Sequence, residues 1–190
     1  MKIVDAINAE LARWISEQPI FFVATAPSGS DGHVNLSPKG LTGLAILGPH
    51  RVAYLDLTGS GVETIAHLRE NGRITIMLCA YNGPPRICRL YGHGTVHVAG
   101  SDEYEALRPE FPDLPGARAI IEVAVTRITT SCGYAVPRME FVEDRDNLNK
   151  WARAKGEDGL VEYRETRNAE SIDGLAGFPT NLPSRLADHP

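Results

Sequence analysis

The chain has 190 residues, of which 43% are hydrophobic and 23% are charged, and its formal net charge at pH 7 is -5. This length and composition are typical of one globular domain with a substantial core. The negative net charge argues against a general nucleic-acid surface, although a local basic cluster could still bind a phosphate. We therefore expect a small-molecule partner and no nucleic-acid partner.

The sequence has no pattern typical of export, membrane insertion or a disulfide framework. The N-terminal segment lacks a continuous apolar stretch, and no later stretch approaches the roughly 20 apolar residues of a membrane helix. Cys79, Cys88 and Cys132 include no Cys-x-x-Cys pair, which argues against disulfides and a structural zinc site. We expect a cytoplasmic protein with no membrane partner, in which Cys79 and Cys88 are buried small hydrophobic residues.

The first predicted element is an amphipathic helix over residues 3 to 17, because apolar residues repeat there at helical spacing until Gln18-Pro19. Short apolar runs separated by Gly- and Pro-rich turns then predict about seven strands with short helices between them. The strands are Ile20 to Ala26, His33 to Ser37, Leu41 to Leu47, Arg51 to Leu57, Arg73 to Ala80, Arg86 to Val98 (one strand, or two broken near Gly92 and Gly94) and Ala117 to Thr129. The helices are Val62 to Asn71 and Ser101 to Pro109. This pattern suggests a closed or nearly closed antiparallel barrel.

The composition becomes polar and charged beyond Pro137. Two helices are predicted there, near residues 143 to 155 and 157 to 169, and the last twenty residues are interpreted as an extended arm or frayed tail. The predicted organisation is therefore a barrel domain with an N-terminal helix at 1–137, followed by a helical extension and tail at 138–190.

The turn Thr58-Gly59-Ser60-Gly61 stands directly before a predicted helix that Gly72 ends. Free N–H groups at the start of a helix favour an anion, so a phosphorylated cofactor is one interpretation of this turn. The other interpretation is a capping box, in which Ser60 caps the helix and Glu63 reaches back. Glu63 also places negative charge where a phosphate would lie. Both interpretations remain open.

Three segments in chain order resemble the flavin-binding split-barrel proteins related to pyridoxamine 5'-phosphate oxidase. They are FFVATAPSGSDGHVNLSPKG, AYLDLTGSGVETIAHLRENGRITIMLC and RICRLYGHGTVHV, within about residues 20 to 130. The resemblance implies a mainly β fold with peripheral helices, namely a six-stranded antiparallel Greek-key split β-barrel. It also implies a homodimer with FMN in a cleft at the subunit interface.

The resemblance further implies the cofactor-binding residues. These are Asn35, Leu36, Ser37 and Lys39 on the second strand, Thr58, Gly59, Ser60 and Gly61 in the turn, Arg86 and Arg89 on a later strand, and Cys132 after the last strand. Where the oxidase proper has basic residues at the helix start, this chain has Val62-Glu63-Thr64. The charge for a phosphate must then come from Lys39, Arg86 or Arg89. The alternative for the two arginines is the polar face of an edge strand.

The resemblance favours an FMN-dependent oxidoreductase that transfers a hydride between the flavin and a small substrate. The chain lacks the Arg-x-His substrate signature of the oxidase proper, which argues against vitamin B6 oxidase activity. No catalytic residue is assigned, and Cys132 has no adjoining His or Lys that would make it a reactive thiol. No metal site is predicted, because His93 and His97 are too far apart along an unbent strand, although a bulge at Gly92 and Gly94 would alter this distance and keeps haem or a metal as a minor alternative. The alternatives are a non-catalytic flavin or haem binding protein and an oxidoreductase that uses the deazaflavin cofactor F420.

Overall fold

The computed structural model describes residues 1–179, which form one antiparallel sheet of eight strands with four helices around it. The strands are β1 (Lys2–Val4), β2 (Phe21–Thr25), β3 (Asn35–Lys39), β4 (Ala45–Gly48), β5 (Arg51–Leu57), β6 (Arg73–Cys79), β7 (Ile87–Val98) and β8 (Ala117–Ser131). The helices are α1 (Ala9–Ser16), α2 (Glu63–Asn71), α3 (Asp102–Leu107) and α4 (Asn147–Arg167). The predicted fold class is confirmed, but the sheet has eight strands instead of six.

The order of the strands explains how the sheet becomes a split barrel. The order is β3-β2-β6-β7-β8-β5-β4, and β1 pairs separately with β8. The long strand β8 therefore carries hydrogen bonds to β7, β5 and β1. Strands β3 and β5 are far apart in this order, yet side chains of both meet at one cavity. The sheet thus curves back on itself without pairing its two outer strands.

The main core lies inside this curved sheet and beneath α1 and α2. Strand β2 alternates buried and half-buried residues, whereas most residues of β5 are buried on both faces. Fully buried side chains from four strands and two helices fill the interior: Ile15, Phe21, Tyr54, Ile65, Ile76, Ile121 and Ile128. A smaller cluster beneath α3 contains Leu55, Tyr104, Phe111 and Ile120. Burial of this apolar surface is the main stabilising term of the fold.

The predicted N-terminal helix is correct in its second half and wrong at its start. Residues 2–4 form β1, in which Ile3 lies opposite Thr129 of β8. The helix begins at Ala9, because the Asn8 side chain accepts a hydrogen bond of 2.9 Å from the Leu11 N–H. Pairing with β8 gives the first residues backbone hydrogen bonds that an uncapped helix end would lack.

The predicted capping box before α2 is wrong. The cap of α2 is Val62, which makes no side-chain capping hydrogen bond, and Ser60 is exposed. Glu63 reaches back as expected, but its Oε2 accepts from the neighbouring Val62 N–H at 3.1 Å. Gly72 ends the helix as predicted, with the φ of 71° that favours glycine.

The C-terminal region differs from the prediction in how tightly it packs. Helix α4 consists of two helices, as predicted, which meet at the non-helical residue Gly156, where φ is 67° and ψ is 173°. Residues 171–179 are not a frayed arm, because Phe178 is 6% exposed and belongs to the main core. A Cβ at Gly177 would collide with the Asn168 carbonyl and with Val62, so glycine permits this close approach. The rest of the predicted tail lies outside the described residues.

Within residues 1–179, no helix is both long enough and apolar enough to cross a bilayer.

Candidate functional site

A cavity of about 340 Å³ lies between β3, β5 and the start of α2. Its lining includes Ser37, Lys39, Asp56, Gly59, Gly61, Glu63, Thr64, Arg118 and Leu148. A larger groove of about 560 Å³ lies between the end of α1 and residues 139–141, but its charged residues Glu17 and Glu140 are exposed. The smaller cavity is the candidate site because buried charged groups and several predicted cofactor residues meet there.

Three charged residues form a cluster in the cavity wall, in which Asp56 and Arg118 are buried and Lys39 is half-buried. Asp56 Oδ1 lies 2.8 Å from Lys39 Nζ, and Asp56 Oδ2 lies 2.7 Å from Arg118 Nε. Burial alone would raise the pKa of Asp56, but Arg118 and then Lys39 reverse this effect and lower the pKa from 3.8 to about 2. Asp56 is therefore ionised at neutral pH. Two cations and one anion leave the cluster with a net charge of +1.

Arg118 is held by three hydrogen bonds that fix the plane of its guanidinium group. Besides Nε on Asp56, Nη1 donates to Asn168 Oδ1 and Nη2 donates to the Gly61 carbonyl, both at 2.8 Å. A guanidinium carries five N–H groups, so two remain for a ligand. Lys39 likewise uses one of its three ammonium N–H groups on Asp56. The cluster can therefore offer several charge-assisted donors to an anion.

The negative charge of Glu63 disfavours the binding of an anion in the same cavity. Its carboxylate lines the cavity and accepts the Val62 N–H, which is one of the free backbone donors at the start of α2. One donor that a bound phosphate would use is thus already taken. Since Glu63 is half-buried, its charge opposes a second negative group nearby.

A hydrogen-bonded polar network lies behind the cavity wall. Ser37 Oγ donates to Asn35 Oδ1 at 2.9 Å, and Asn35 Nδ2 donates to the Thr64 and Thr25 hydroxyls at 3.0 and 3.1 Å. Thr25 Oγ1 also lies 2.9 Å from His67 Nδ1. Burial lowers the pKa of His67, which favours the neutral imidazole. The network fixes the hydroxyls of Ser37 and Thr64 at the cavity.

Tyr54 lies directly beneath the Lys39 ammonium group, which is 5.7 Å from the centre of its ring. The ring also packs edge-on against Phe21 at 5.4 Å between centroids. Its hydroxyl is buried. Burial, followed by the charge of Asp56, raises the pKa of Tyr54 well above 10.0. Tyr54 is therefore neutral at physiological pH.

The structure brings most of the predicted residues of β3 and of the turn after β5 to this cavity. Ser37, Lys39, Gly59 and Gly61 line it, and Asn35 lies behind Ser37. Thr58 is buried beside the turn, where its N–H donates to the Gly116 carbonyl at 2.7 Å. The other two residues point elsewhere: Leu36 is 64% exposed, as strand alternation requires, and Ser60 is exposed.

Arg86, Arg89 and Cys132 do not line this cavity within one copy of the chain. Arg86 lies over the Trp14 ring at 5.4 Å from its centroid, and Arg89 donates to the Ser131 hydroxyl at 3.4 Å. Cys132 is exposed, whereas the other two cysteines are buried as predicted. The alternative of an edge strand is wrong, because β7 pairs with both β6 and β8. A role for these three residues in cofactor binding stays a prediction.

Sequence reasoning missed Arg118 and Asn168. Arg118 stands within the apolar run of β8, and a charged residue in such a run indicates either a bend or a buried partner. Asn168 directly follows α4 and has no sequence signal, since its partners lie 50 and 109 positions away along the chain. Arg164 was also missed; its Nη1 lies 3.4 Å from the Thr58 hydroxyl.

Residues 7–132 match the sequence model of the pyridoxamine 5'-phosphate oxidase family, which is more than half of the chain. The chain is also 40% identical, over 193 aligned positions, to the pyridoxamine 5'-phosphate oxidase family protein UstO of Aspergillus flavus. That alignment covers 92% of this chain and 76% of UstO. The fold, the cavity and these similarities define a split-barrel protein, and the chain belongs to the pyridoxamine 5'-phosphate oxidase family.

Solved structures agree with this fold. A variant of the Group A Streptococcus protein HupZ superposes with a TM-score of 0.52 at 22% identity, covering 66% of this chain and 99% of HupZ. A second HupZ structure gives a TM-score of 0.50 at 23% identity, covering 65% of this chain and 93% of that one. At such low identity the likeness supports the fold alone.

Proposed function

We propose that this protein is an FMN-dependent oxidoreductase that transfers a hydride between the flavin and a small-molecule substrate. Membership of the family supports this proposal. The observation that carries it is the cluster of Lys39, Asp56 and Arg118 at the cavity, since its net positive charge and free donors suit an anionic cofactor.

The residues of the cavity fit FMN, with one opposing charge. The phosphate of FMN is close to a dianion at pH 7 and requires charge-assisted donors when it is partly buried. Lys39 and Arg118 supply such donors, and the Thr64 hydroxyl, which accepts from Asn35, adds a neutral one. Glu63 opposes the phosphate, and its effect depends on the distance between the two charges. The cavity volume is at the lower end of ligand sites, which suits a cofactor that extends out of the cavity.

The residues of the chain would bind and orient the cofactor. FMN supplies the hydride chemistry when it is bound. Lys39 and Arg118 would hold its anionic end, while the Asn35 network would fix the hydroxyls that contact its polar atoms. Asp56 is ionised and paired, so its role is to keep the two cations in place.

A non-catalytic flavin-binding protein is the second candidate. Most ionisable groups at the cavity are fixed by one another, because Asp56 is ionised between Lys39 and Arg118. Such groups do not readily exchange protons with a substrate. Haem stays an alternative ligand for such a non-catalytic protein. The deazaflavin F420 remains an alternative anionic cofactor for the same cluster.

The test is to purify the protein, record its absorption spectrum and identify any released cofactor by chromatography. Protein without cofactor should then be titrated with FMN, F420 and haem. We expect flavin absorption and FMN binding with a stoichiometry of one per chain. Reduction of the bound flavin by NADH or NADPH, followed by reoxidation, would support the oxidoreductase over the non-catalytic protein. Failure to bind FMN would overturn the proposal.

We further propose that the protein is a homodimer with the cofactor between its subunits. Residues 133–146 carry several exposed large hydrophobic side chains, and such a patch is typical of an interaction surface. These are Tyr134, Met139, Phe141 and Val142. Light scattering should give twice the mass of the chain, and FMN should protect Cys132 from alkylation if the facing subunit brings it near the cofactor. A monomer that binds FMN with full stoichiometry would contradict this arrangement.

A further inference from the structure

Asn168 is a fully buried polar residue at the end of α4, and each polar group of its side chain has a partner. Its Oδ1 accepts from Arg118 Nη1 at 2.8 Å, and its Nδ2 donates to the Gly59 carbonyl at 3.0 Å. Its backbone carbonyl accepts from the Phe178 N–H at 2.7 Å. Asn168 therefore links the Arg118 guanidinium group to Gly59, which lies in the turn at the edge of the cavity.

The position of Asn168 is fixed by the packing of the C-terminal segment. Its N–H donates to the Arg164 carbonyl at 3.1 Å, and Phe178 buries its ring in the main core. Arg69 donates to the Gly177 carbonyl, which ties the same segment to α2. These contacts hold Asn168 in place before any ligand binds. Asn168 lies outside residues 7–132, which match the family.

The hydrogen bond that Arg118 donates to Asn168 fixes one end of the guanidinium group. Asp56 holds Nε and the Gly61 carbonyl holds Nη2, while Asn168 holds the Nη1 end of the same planar group. We infer that Asn168 is a positioning residue that directs the two remaining N–H groups of Arg118 to the anionic end of the ligand. The inference relies on the proposed function for the choice of FMN as that ligand.

Comparison of FMN with riboflavin tests this inference, because the two differ only in the phosphate. Dissociation constants for both should be measured with the parent, Asn168→Ala and Asn168→Leu. The alanine variant removes both side-chain contacts. The leucine variant removes the same contacts, keeps a side chain of similar volume and leaves the net charge of the cluster unchanged. Asn71→Ala is the matched control, since the Asn71 side chain also makes hydrogen bonds to two backbone groups, those of Ala26 and Arg73, away from the cavity.

We expect the preference for FMN over riboflavin to fall roughly threefold to tenfold in both Asn168 variants and to stay unchanged in the control. If Asn168 had a purely structural role, its loss would weaken the binding of FMN and riboflavin equally. An unchanged preference in both variants would therefore overturn the inference. If Asn168→Ala does not fold, Asn168→Leu alone decides, because it lacks the contact to Arg118 but keeps most of the side-chain volume.

The proposed function fails separately if the parent binds neither flavin. Inorganic phosphate then serves as the probe, and its effect on the thermal midpoint is measured for the parent and both variants. The inference would be supported if phosphate raises the thermal midpoint of the parent and raises that of the variants by less. The inference would be overturned if phosphate raises the thermal midpoint of all three proteins equally, or does not raise that of the parent.

Discussion

Lys39 Nζ lies 2.8 Å from Asp56 Oδ1, although four strands separate β3 from β5 in the order of the sheet. This ion pair joins the two sides of the split barrel at the cavity. Asp56 is 1% exposed at its side chain and Lys39 is 23% exposed, so the ammonium group faces the cavity while the carboxylate lies behind it. The same contact that closes the sheet therefore supplies positive charge to the candidate site.

Lys39→Ala should weaken FMN binding by about tenfold to a hundredfold, because it removes a charge-assisted contact and cancels the net charge of the cluster. Riboflavin binding should change much less. Fluorescence titration measures both constants. The control is Lys150→Ala on α4, since the Lys150 side chain is 75% exposed. Equal FMN affinity of parent and Lys39→Ala would show that the phosphate lies elsewhere.

Glu63→Gln should bind FMN as tightly as the parent or several-fold more tightly. The amide oxygen can still accept the Val62 N–H, whereas the negative charge at the start of α2 is gone. Isothermal titration calorimetry gives the affinity. The control is Glu70→Gln in the last turn of the same helix, where the carboxylate accepts the Ser28 N–H. Loss of FMN binding in Glu63→Gln would mean that the carboxylate itself is needed for the site.

Asp56→Asn should remove one component of the pH dependence of stability. The pKa of Asp56 is lowered from 3.8 to about 2 in the folded protein, so its ionised form stabilises the fold above about pH 4. This contribution, about 2 kcal/mol from the size of the shift, is lost as the pH falls towards 2.

The difference in free energy of unfolding between the parent and Asp56→Asn should therefore shrink by about 2 kcal/mol between about pH 5 and pH 2. Urea unfolding at several pH values measures it, with Asp146→Asn on the surface as the control. A difference that stays constant over this range would show that Asp56 is not coupled to the two cations.

Phe178→Ala should destabilise the protein by about 3 kcal/mol, because it leaves a cavity in the main core. The control is Ile172→Ala, since Ile172 lies in the same segment and is 70% exposed. Urea unfolding should show almost no change for the control. Similar small effects of both substitutions would mean that the segment after α4 does not pack on the core in solution.

Local patterns were sufficient to predict most strands and the sites of the turns. Alternation of apolar residues identified β2, and Gly72 identified the end of α2, because these signals depend on nearby residues. The start of α1 was mispredicted because β1 forms through pairing with β8, more than a hundred residues later. The residue preferences within a short window carry no information about a strand partner so far along the chain.

The candidate site was predictable in part for the same reason. Lys39 and the turn after β5 lie in local motifs, and both reach the cavity. Their partners Asp56, Arg118 and Asn168 meet only through the curvature of the sheet and the return of the C-terminal segment. The sequence pattern also gave no reason to place Phe178 in the core, since the segment around it is rich in Gly and polar residues.

The most direct test of the proposed site is a crystal structure of the protein soaked with FMN. We expect the phosphate within hydrogen-bond distance of Lys39 Nζ and of the Nη atoms of Arg118, with Glu63 turned away from it. A phosphate bound by Arg86 or Arg89, or outside the cavity, would contradict the account.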